Sequence, residues 1–164
     1  MGKVRKVLYI SLLVVILYIL FPTALKGSTS NLFFSSPDGK RYNFADFRGK
    51  YLLVNLFSSY CPPCMVELKV LQKLHESCDT KGLQIVSLMI DRDGAPLLPK
   101  IISSRNLTYP VGLANQDILK LFPDFSITPT TYLFDPQGKR LERFVGFKNY
   151  KEWTQVLSKY VKCN

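Results

Sequence analysis

The stretch Lys50–Leu68, KYLLVNLFSSYCPPCMVEL, contains a strand pattern, two closely spaced cysteines and the start of a helical pattern. Its first part is a nearly continuous apolar run, which is typical of a central β-strand covered on both faces. From about Pro63 to Ser77 the apolar residues follow helical spacing instead. Cys61 is therefore expected just before or at the N-terminus of that helix, where backbone N–H groups and the helix dipole stabilise a negatively charged sulfur.

The sequence around this stretch predicts one α/β domain. A second strand pattern, LQIVSLMID, follows the helix after Gly82, and two parallel strands joined by a helix form a right-handed βαβ unit. A hairpin around Asp38–Gly39 precedes the central strand, and another turning at Gln137–Gly138 precedes an amphipathic last helix, NYKEWTQVLSKYVK. A helical pattern at 97–104 and a weak one at 116–122 lie between LQIVSLMID and the later hairpin.

Composition and charge exclude one class of partner. The chain has 164 residues, 47% hydrophobic and 21% charged, which fits a single globular domain. Its formal net charge is +10, but the basic residues are scattered singly and in pairs, without a dense run or a recognised nucleic-acid-binding motif. We therefore expect no nucleic-acid partner.

The N-terminus predicts a membrane anchor. A basic cluster precedes Val7–Leu25, an uncharged segment that as a helix would reach about 28 Å, close to the ~30 Å hydrocarbon core. The segment ends without a good signal-peptidase site, so we expect an uncleaved anchor at 1–25, a linker at 26–31 and a folded domain at 32–164. That domain would lie outside the cytoplasm, in the periplasm or at the outer face of the cell membrane. Cleavage to a soluble exported form is the alternative.

The Cys61–Cys64 pair is compatible with several uses, of which redox exchange is favoured. A zinc site would need two more ligands, but Cys78 and Cys163 are far apart and His75 is the only histidine, so no metal is expected. Haem attachment would require histidine where Met65 stands. A purely structural bridge across two residues constrains the unfolded chain little. The remaining interpretation is an exported dithiol that cycles through a redox-active disulfide and needs no other cofactor.

The strand, CPPC, helix and second strand, with the later segment SITPTTYLFDPQGK, resemble the thioredoxin superfamily. The similarity is closest to its membrane-anchored extracytoplasmic branch, the TlpA/ResA/CcmG-type thiol:disulfide oxidoreductases, which share the opening DGKRYNFADFRGK that plain thioredoxins lack. The resemblance covers Leu32–Val161 and implies a thioredoxin fold, a central mixed β-sheet flanked by helices, with an N-terminal β-hairpin extension. Tyr60 departs from the tryptophan usual in this branch, and Leu68 from the proline that often follows the helix glutamate.

The resemblance also implies roles for the reacting groups. Cys61 would attack a partner's disulfide as a thiolate, and Cys64 would resolve the mixed disulfide. Glu67 lies three residues after Cys64 on the same helix face, where a carboxylate with a pKa raised by burial could take the proton that Cys64 must lose. Asn55 stands where thioredoxin carries a buried aspartate. Because an amide does not shuttle protons, we expect Asn55 only to satisfy neighbouring backbone groups.

Substrate-binding positions follow from the same resemblance. The family holds the Thr128–Pro129 peptide bond in cis beside the dithiol, which leaves the Thr128 backbone free to pair with an incoming peptide. Tyr60 and Pro62 flank Cys61 on the docking surface. Neither Pro62 nor Pro63 can donate an N–H to the thiolate, and a less stabilised thiolate makes a weaker oxidant.

Together these features predict a dithiol reductase, kept reduced by a membrane electron donor and passing electrons to a disulfide-bonded client. By resemblance the leading client is apocytochrome c, during cytochrome c maturation. The alternatives are a general disulfide oxidase or isomerase, a thiol peroxidase, and an inactive thioredoxin-fold binding module. The segment NLFSSY lacks the proline of a peroxidatic site, and retention of Cys61, Cys64, Glu67 and Pro129 disfavours the inactive module.

Cys78 and Cys163 are left over by the motif. In the expected topology, the helices that carry them run on the same face of the sheet, away from the dithiol, so the two cysteines should emerge near each other. A structural disulfide is one interpretation; a buried apolar Cys78 and a mobile tail thiol at Cys163 are the other.

Overall fold

The structure, a computed structural model, describes residues 32–78 and 82–163. The predicted anchor at 1–25 and the linker at 26–31 lie outside these residues. Within the described ranges, none of the helices has the length and apolar character needed to cross a bilayer.

A five-stranded mixed sheet forms the centre of the domain. Its strands are β3 (Tyr51–Phe57), β4 (Leu83–Met89), β5 (Val111–Leu113), β6 (Thr130–Phe134) and β7 (Arg140–Val145). They are ordered β5-β4-β3-β6-β7, with β3, β4 and β5 parallel, β6 antiparallel to β3 and β7 antiparallel to β6. Six of the seven residues of β3 are buried, as its apolar sequence predicts for a strand covered on both faces. The thioredoxin fold is confirmed.

One face of the sheet is covered by three helices. The helices of the domain are α1 (Pro62–Cys78), α2 (Leu98–Ser104), α3 (Gln116–Leu119) and α4 (Tyr150–Leu157). Helices α1, α2 and α4 share one hydrophobic core, in which Trp153 is fully buried and packs edge-on against Phe144, with ring centroids 5.1 Å apart. Because α1 starts directly after β3, this packing fixes the helix that carries the dithiol.

The opposite face is covered by the N-terminal hairpin and α3. The hairpin pairs β1 (Phe33–Ser35) with β2 (Arg41–Asn43) and is followed by a 3₁₀ turn, Phe44–Phe47. Phe34 packs into this second core beside Gly112 of β5. A Cβ at position 112 would lie 2.5 Å from Phe34 Cδ2, so only glycine fits there without displacement. The predicted hairpin extension is confirmed.

Two elements differ from what the sequence predicts. Strand β5 was missed because three residues are too short for a recognisable alternation. The last helix ends at Leu157 rather than near Val161, and the chain beyond it is held by the contact of the Tyr160 hydroxyl with Glu142 on β7. On α1, the ring of His75 packs edge-on against Tyr109 with centroids 5.8 Å apart.

Candidate active site

Cys61 and Cys64 form a disulfide at the start of α1, with their Cα atoms 5.2 Å apart. The carbonyl of Cys61 accepts a hydrogen bond from Met65 N, so Cys61 occupies the cap position of the helix. Its sulfur accepts a hydrogen bond from Cys64 N at 3.2 Å. Cys61 is half-buried, whereas Cys64 is 1% exposed. Cys61 is therefore the more accessible of the two cysteines.

The loop before Cys61 is held by Asp91, which follows β4. The Asp91 carboxylate accepts hydrogen bonds from the backbone N–H of Ser59 at 2.9 Å and from its hydroxyl at 2.5 Å. Gly94 packs against the same carboxylate, because a Cβ there would lie 2.1 Å from Asp91 Oδ2. Sequence reasoning missed Asp91. Its position just after a parallel strand could have indicated it, because functional residues commonly lie at the carboxyl ends of parallel strands.

The Thr128–Pro129 segment lies at the same edge of the sheet. Its peptide bond is cis, and the carbonyl of Pro129 accepts a hydrogen bond from Gly146 N at 2.8 Å. Thr130 pairs with Leu56 near the end of β3, which brings the segment beside the loop that leads to Cys61. Tyr60 and Pro62 are exposed on either side of Cys61, and the Tyr60 side chain is 71% exposed. Tyr60 and Pro62 thus adjoin Cys61 in the chain, and Thr128 and Pro129 lie at the same edge of the sheet as the dithiol.

Glu67 is buried one helical turn after Cys64, with 1% of its surface exposed. Its Oε1 accepts from the backbone N–H of Lys148 at 3.0 Å, and its Oε2 accepts from Asn55 Nδ2 at 3.3 Å. Burial disfavours the carboxylate and raises the pKa of Glu67 to about 7, although these hydrogen bonds and the Lys148 charge act in the opposite direction. The indole N–H of Trp153 also favours the carboxylate form of Glu67. It does so from outside hydrogen-bonding geometry, because Nε1 has no hydrogen-bond partner in the described part of the chain.

The expected role of Asn55 is wrong in one respect, because its partners are side chains rather than backbone groups. Its amide donates to Thr131 Oγ1 at 3.0 Å as well as to Glu67, and its carbonyl accepts from Ser87 Oγ at 3.3 Å. Ser87 Oγ lies 3.2 Å from the hydroxyl of Tyr109. The β3 register with β4 and β6 places Asn55 opposite both Ser87 and Thr131, which explains how these polar residues meet inside the core.

Cys78 and Cys163 form a second disulfide in the structure, with Cα atoms 4.6 Å apart and a sequence separation of 85. Cys78 is fully buried at the end of α1, so the bridge ties the C-terminal tail to the end of the helix remote from Cys61. Across the residues that the structure describes, no group of three or more His, Cys, Asp or Glu side chains is arranged to hold a metal ion.

Comparison with known proteins shows the family of this chain. The model of the AhpC/TSA family matches residues 29–140. Over 124 residues the chain is 27% identical to the thiol-disulfide oxidoreductase ResA of Bacillus thuringiensis subsp. konkukian, covering 74% of this chain and 70% of that protein. ResA of Bacillus subtilis strain 168 is 26% identical over 117 residues, covering 71% of this chain and 64% of that protein.

A solved structure shows the same fold. The crystal structure of a thiol:disulfide interchange protein of the thioredoxin family from Chlorobium tepidum TLS matches with a TM-score of 0.72 at 21% identity. The match covers 78% of this chain and 91% of that one. The chain belongs to the AhpC/TSA family. With a CxxC disulfide at the edge of a thioredoxin fold, it is a thiol:disulfide oxidoreductase.

Proposed function

We propose that the protein is an extracytoplasmic dithiol reductant, anchored by its N-terminal apolar segment and kept reduced by a membrane electron donor. Its client is a disulfide-bonded protein, and the leading candidate is apocytochrome c, whose haem-binding cysteines must be reduced before haem attachment. The geometry around Cys61 carries the proposal, and the similarity to the ResA proteins supports it.

The proposed reaction exchanges one disulfide for another. The Cys61 thiolate attacks one sulfur of the client disulfide, forming a Cys61–client bond while the second client sulfur leaves as a thiolate and is protonated. Cys64 then loses its proton and attacks Cys61 Sγ, which releases the first client sulfur. Two electrons pass to the client, and the Cys61–Cys64 disulfide is left for the membrane donor to reduce.

Glu67 is the proposed acceptor of the Cys64 proton. Cys64 is buried, so its thiol has little access to water, and Glu67 lies one turn further along the same buried face of α1. A carboxyl with a pKa of about 7 can be ionised when it receives the proton and can release it afterwards near neutral pH. Glu67 is the catalytic base in this proposal.

The direction of electron flow follows from how Cys61 is stabilised. One backbone N–H, that of Cys64, reaches its sulfur, and the two prolines between the cysteines have no N–H to add. The position at the helix N-terminus still favours the thiolate form of Cys61. A less stabilised thiolate makes the reduced form less stable, so the couple gives up its electrons more readily.

A trapping experiment tests this function. The reduced full-length protein is mixed with a disulfide-bonded peptide containing the C-x-x-C-H sequence of haem-attachment sites. We expect two client thiols to appear per dithiol consumed, and Cys64→Ser to accumulate a mixed disulfide through Cys61. Cys61→Ser is the matched control and should trap nothing. Failure of the wild-type protein to reduce this peptide and insulin alike would favour an inactive binding module instead.

A further inference from the structure

A chain of buried polar side chains leads away from Glu67 across the sheet. It runs from Glu67 Oε2 to the Asn55 amide, from there to the Thr131 and Ser87 hydroxyls, and from Ser87 to the Tyr109 hydroxyl. This series of hydrogen bonds ends at the carbonyl of Leu68, 3.5 Å from the Tyr109 hydroxyl. Its side chains come from β3, β4, β6, α1 and the segment before β5. All five of these side chains are at most 3% exposed.

Protonation of Glu67 creates a conflict at one end of this chain. Oε1 faces the backbone N–H of Lys148, a donor that cannot become an acceptor, so the proton must go to Oε2. Oε2 faces the N–H groups of Asn55. With the amide in this orientation, a protonated Oε2 would place a donor against a donor, and a buried donor without an acceptor is costly.

We propose that the Asn55 side-chain amide turns over when Glu67 gains or loses a proton, and that the hydrogen bonds through Ser87 and Tyr109 reverse with it. Asn55, Ser87, Thr131 and Tyr109 are thus positioning residues that keep the buried carboxyl satisfied in both protonation states. The relevance of this reversal to catalysis rests on the proposed proton transfer through Glu67.

The partners of Asn55 make such a reversal possible. Apart from Glu67, its side chain meets only the hydroxyls of Thr131 and Ser87 in the described structure, and a hydroxyl can donate or accept. With Glu67 ionised, Tyr109 donates to Ser87, Ser87 to the Asn55 carbonyl, and the amide to Glu67 and Thr131.

With Glu67 protonated, every bond runs the other way. Glu67 and Thr131 donate to the Asn55 carbonyl, and the amide donates to Ser87. Ser87 then donates to Tyr109, and Tyr109 to the carbonyl of Leu68. The structure holds the distances for both arrangements: the Ser87 and Tyr109 hydroxyls lie 3.2 Å apart, where either can donate, and the Tyr109 hydroxyl lies 3.5 Å from Leu68 O.

Several titratable groups surround this series of hydrogen-bonded side chains, and their titration must be distinguished from that of Glu67. Lys148 and the Cys61–Cys64 dithiol lie near Glu67, and Tyr109 itself has a pKa raised by burial, so it stays neutral at ordinary pH. The imidazole of His75 packs edge-on against Tyr109. The titrations are therefore made on the oxidised full-length protein, and repeated with His75→Gln.

Two conservative variants test the reversal, because it predicts opposite signs for them. Tyr109→Phe leaves the Ser87 hydroxyl without an acceptor only when Glu67 is protonated, so the pKa of Glu67 should fall by about 1 pH unit. Thr131→Val leaves one Asn55 N–H without an acceptor only when Glu67 is ionised, so the pKa should rise by a similar amount. The readout is the ¹³C NMR titration of the Glu67 carboxyl.

A matched control is Tyr132→Phe, which removes a buried tyrosine's hydroxyl on the other face of the sheet, where it contacts Asp124. It should leave the Glu67 titration unchanged. A fixed amide would meet Thr131 identically in both protonation states, so Thr131→Val would then have no effect. An unchanged or raised pKa of Glu67 in Tyr109→Phe overturns the reversal, as does an unchanged value in Thr131→Val.

A second measurement needs no variant. In the wild-type protein, nuclear Overhauser contacts of the Asn55 NH₂ group should shift from Thr131 to Ser87 as the pH falls through the Glu67 titration. Contacts to Thr131 that persist at low pH overturn the proposal. The titration reads the carboxyl directly, so a failure of Glu67→Gln to slow mixed-disulfide resolution would remove the proposed catalytic role and leave the reversal standing.

Discussion

Replacing Glu67 with glutamine should change how the stability of the oxidised protein depends on pH. Glu67 is buried, and burial raises its pKa from the ordinary value of 4.5 to about 7. The folded state therefore binds a proton that the unfolded state releases between these values. The resulting contribution to stability is fully present below about pH 4.5 and is lost as the pH rises through about 7. Glutamine does not titrate and has no such loss.

The size of the effect follows from the two pKa values. At about 1.36 kcal/mol for each pH unit between them, the loss amounts to about 3 kcal/mol. The introduced glutamine also resembles protonated Glu67, because its carbonyl oxygen can accept from Lys148 N while its amide donates to Asn55. We therefore expect Glu67→Gln to gain about 3 kcal/mol relative to the wild-type protein between pH 4 and pH 8.

Urea unfolding of both oxidised proteins across this pH range measures the difference. Contributions from all other titrating groups cancel when the two curves are subtracted, provided that the substitution leaves their environments unchanged. Glu76→Gln is the matched control, since Glu76 is exposed on the same helix, and its curve should run parallel to that of the wild-type protein. Parallel curves for the wild-type protein and Glu67→Gln would show that burial does not raise the pKa of Glu67.

Two further predictions concern the cysteines. Pro63→His places a cation beside the Cys61 thiolate and should raise the reduction potential by about 30–60 mV relative to Pro63→Ala. Hydrogen bonds to charged groups contribute ~1.5–3 kcal/mol, and 30 mV corresponds to 1.4 kcal/mol. Equal potentials for the two variants would show that the residue at position 63 does not influence the stability of the thiolate. Removing the second disulfide with Cys78→Ala and Cys163→Ala should lower the free energy of unfolding by about 4 kcal/mol, because this disulfide closes a loop spanning 85 positions. Stability equal to that of the wild-type protein in urea would speak against a structural bridge.

Much of the fold could be predicted because the informative elements are local. The apolar run of β3, the CPPC sequence and the helical spacing after it are contiguous, and they define the βαβ unit that carries the dithiol. The hairpin around Asp38–Gly39 is equally local, because its turn requires a positive φ that Gly39 supplies. Strand β5 gave no pattern, since its three residues depend on pairing with β4 for their conformation.

The site was predictable only in part, for a related reason. Cys61, Cys64 and Glu67 stand within seven positions of one another, so helix geometry alone brings them together. Asp91, Ser87 and Tyr109 are brought to the site by tertiary structure, including the strand register, which a single sequence does not reveal. A polar residue in an otherwise apolar strand, such as Ser87, was the available indication that the core contains a hydrogen-bonded network.

The reduction potential of the Cys61–Cys64 couple shows whether the protein works as a reductant. The full-length protein is equilibrated with dithiothreitol or glutathione buffers, and the dithiol fraction is measured by alkylation. We expect a value near or below that of thioredoxin, roughly −270 mV. A potential above about −150 mV, in the range of strong disulfide oxidases, would contradict it.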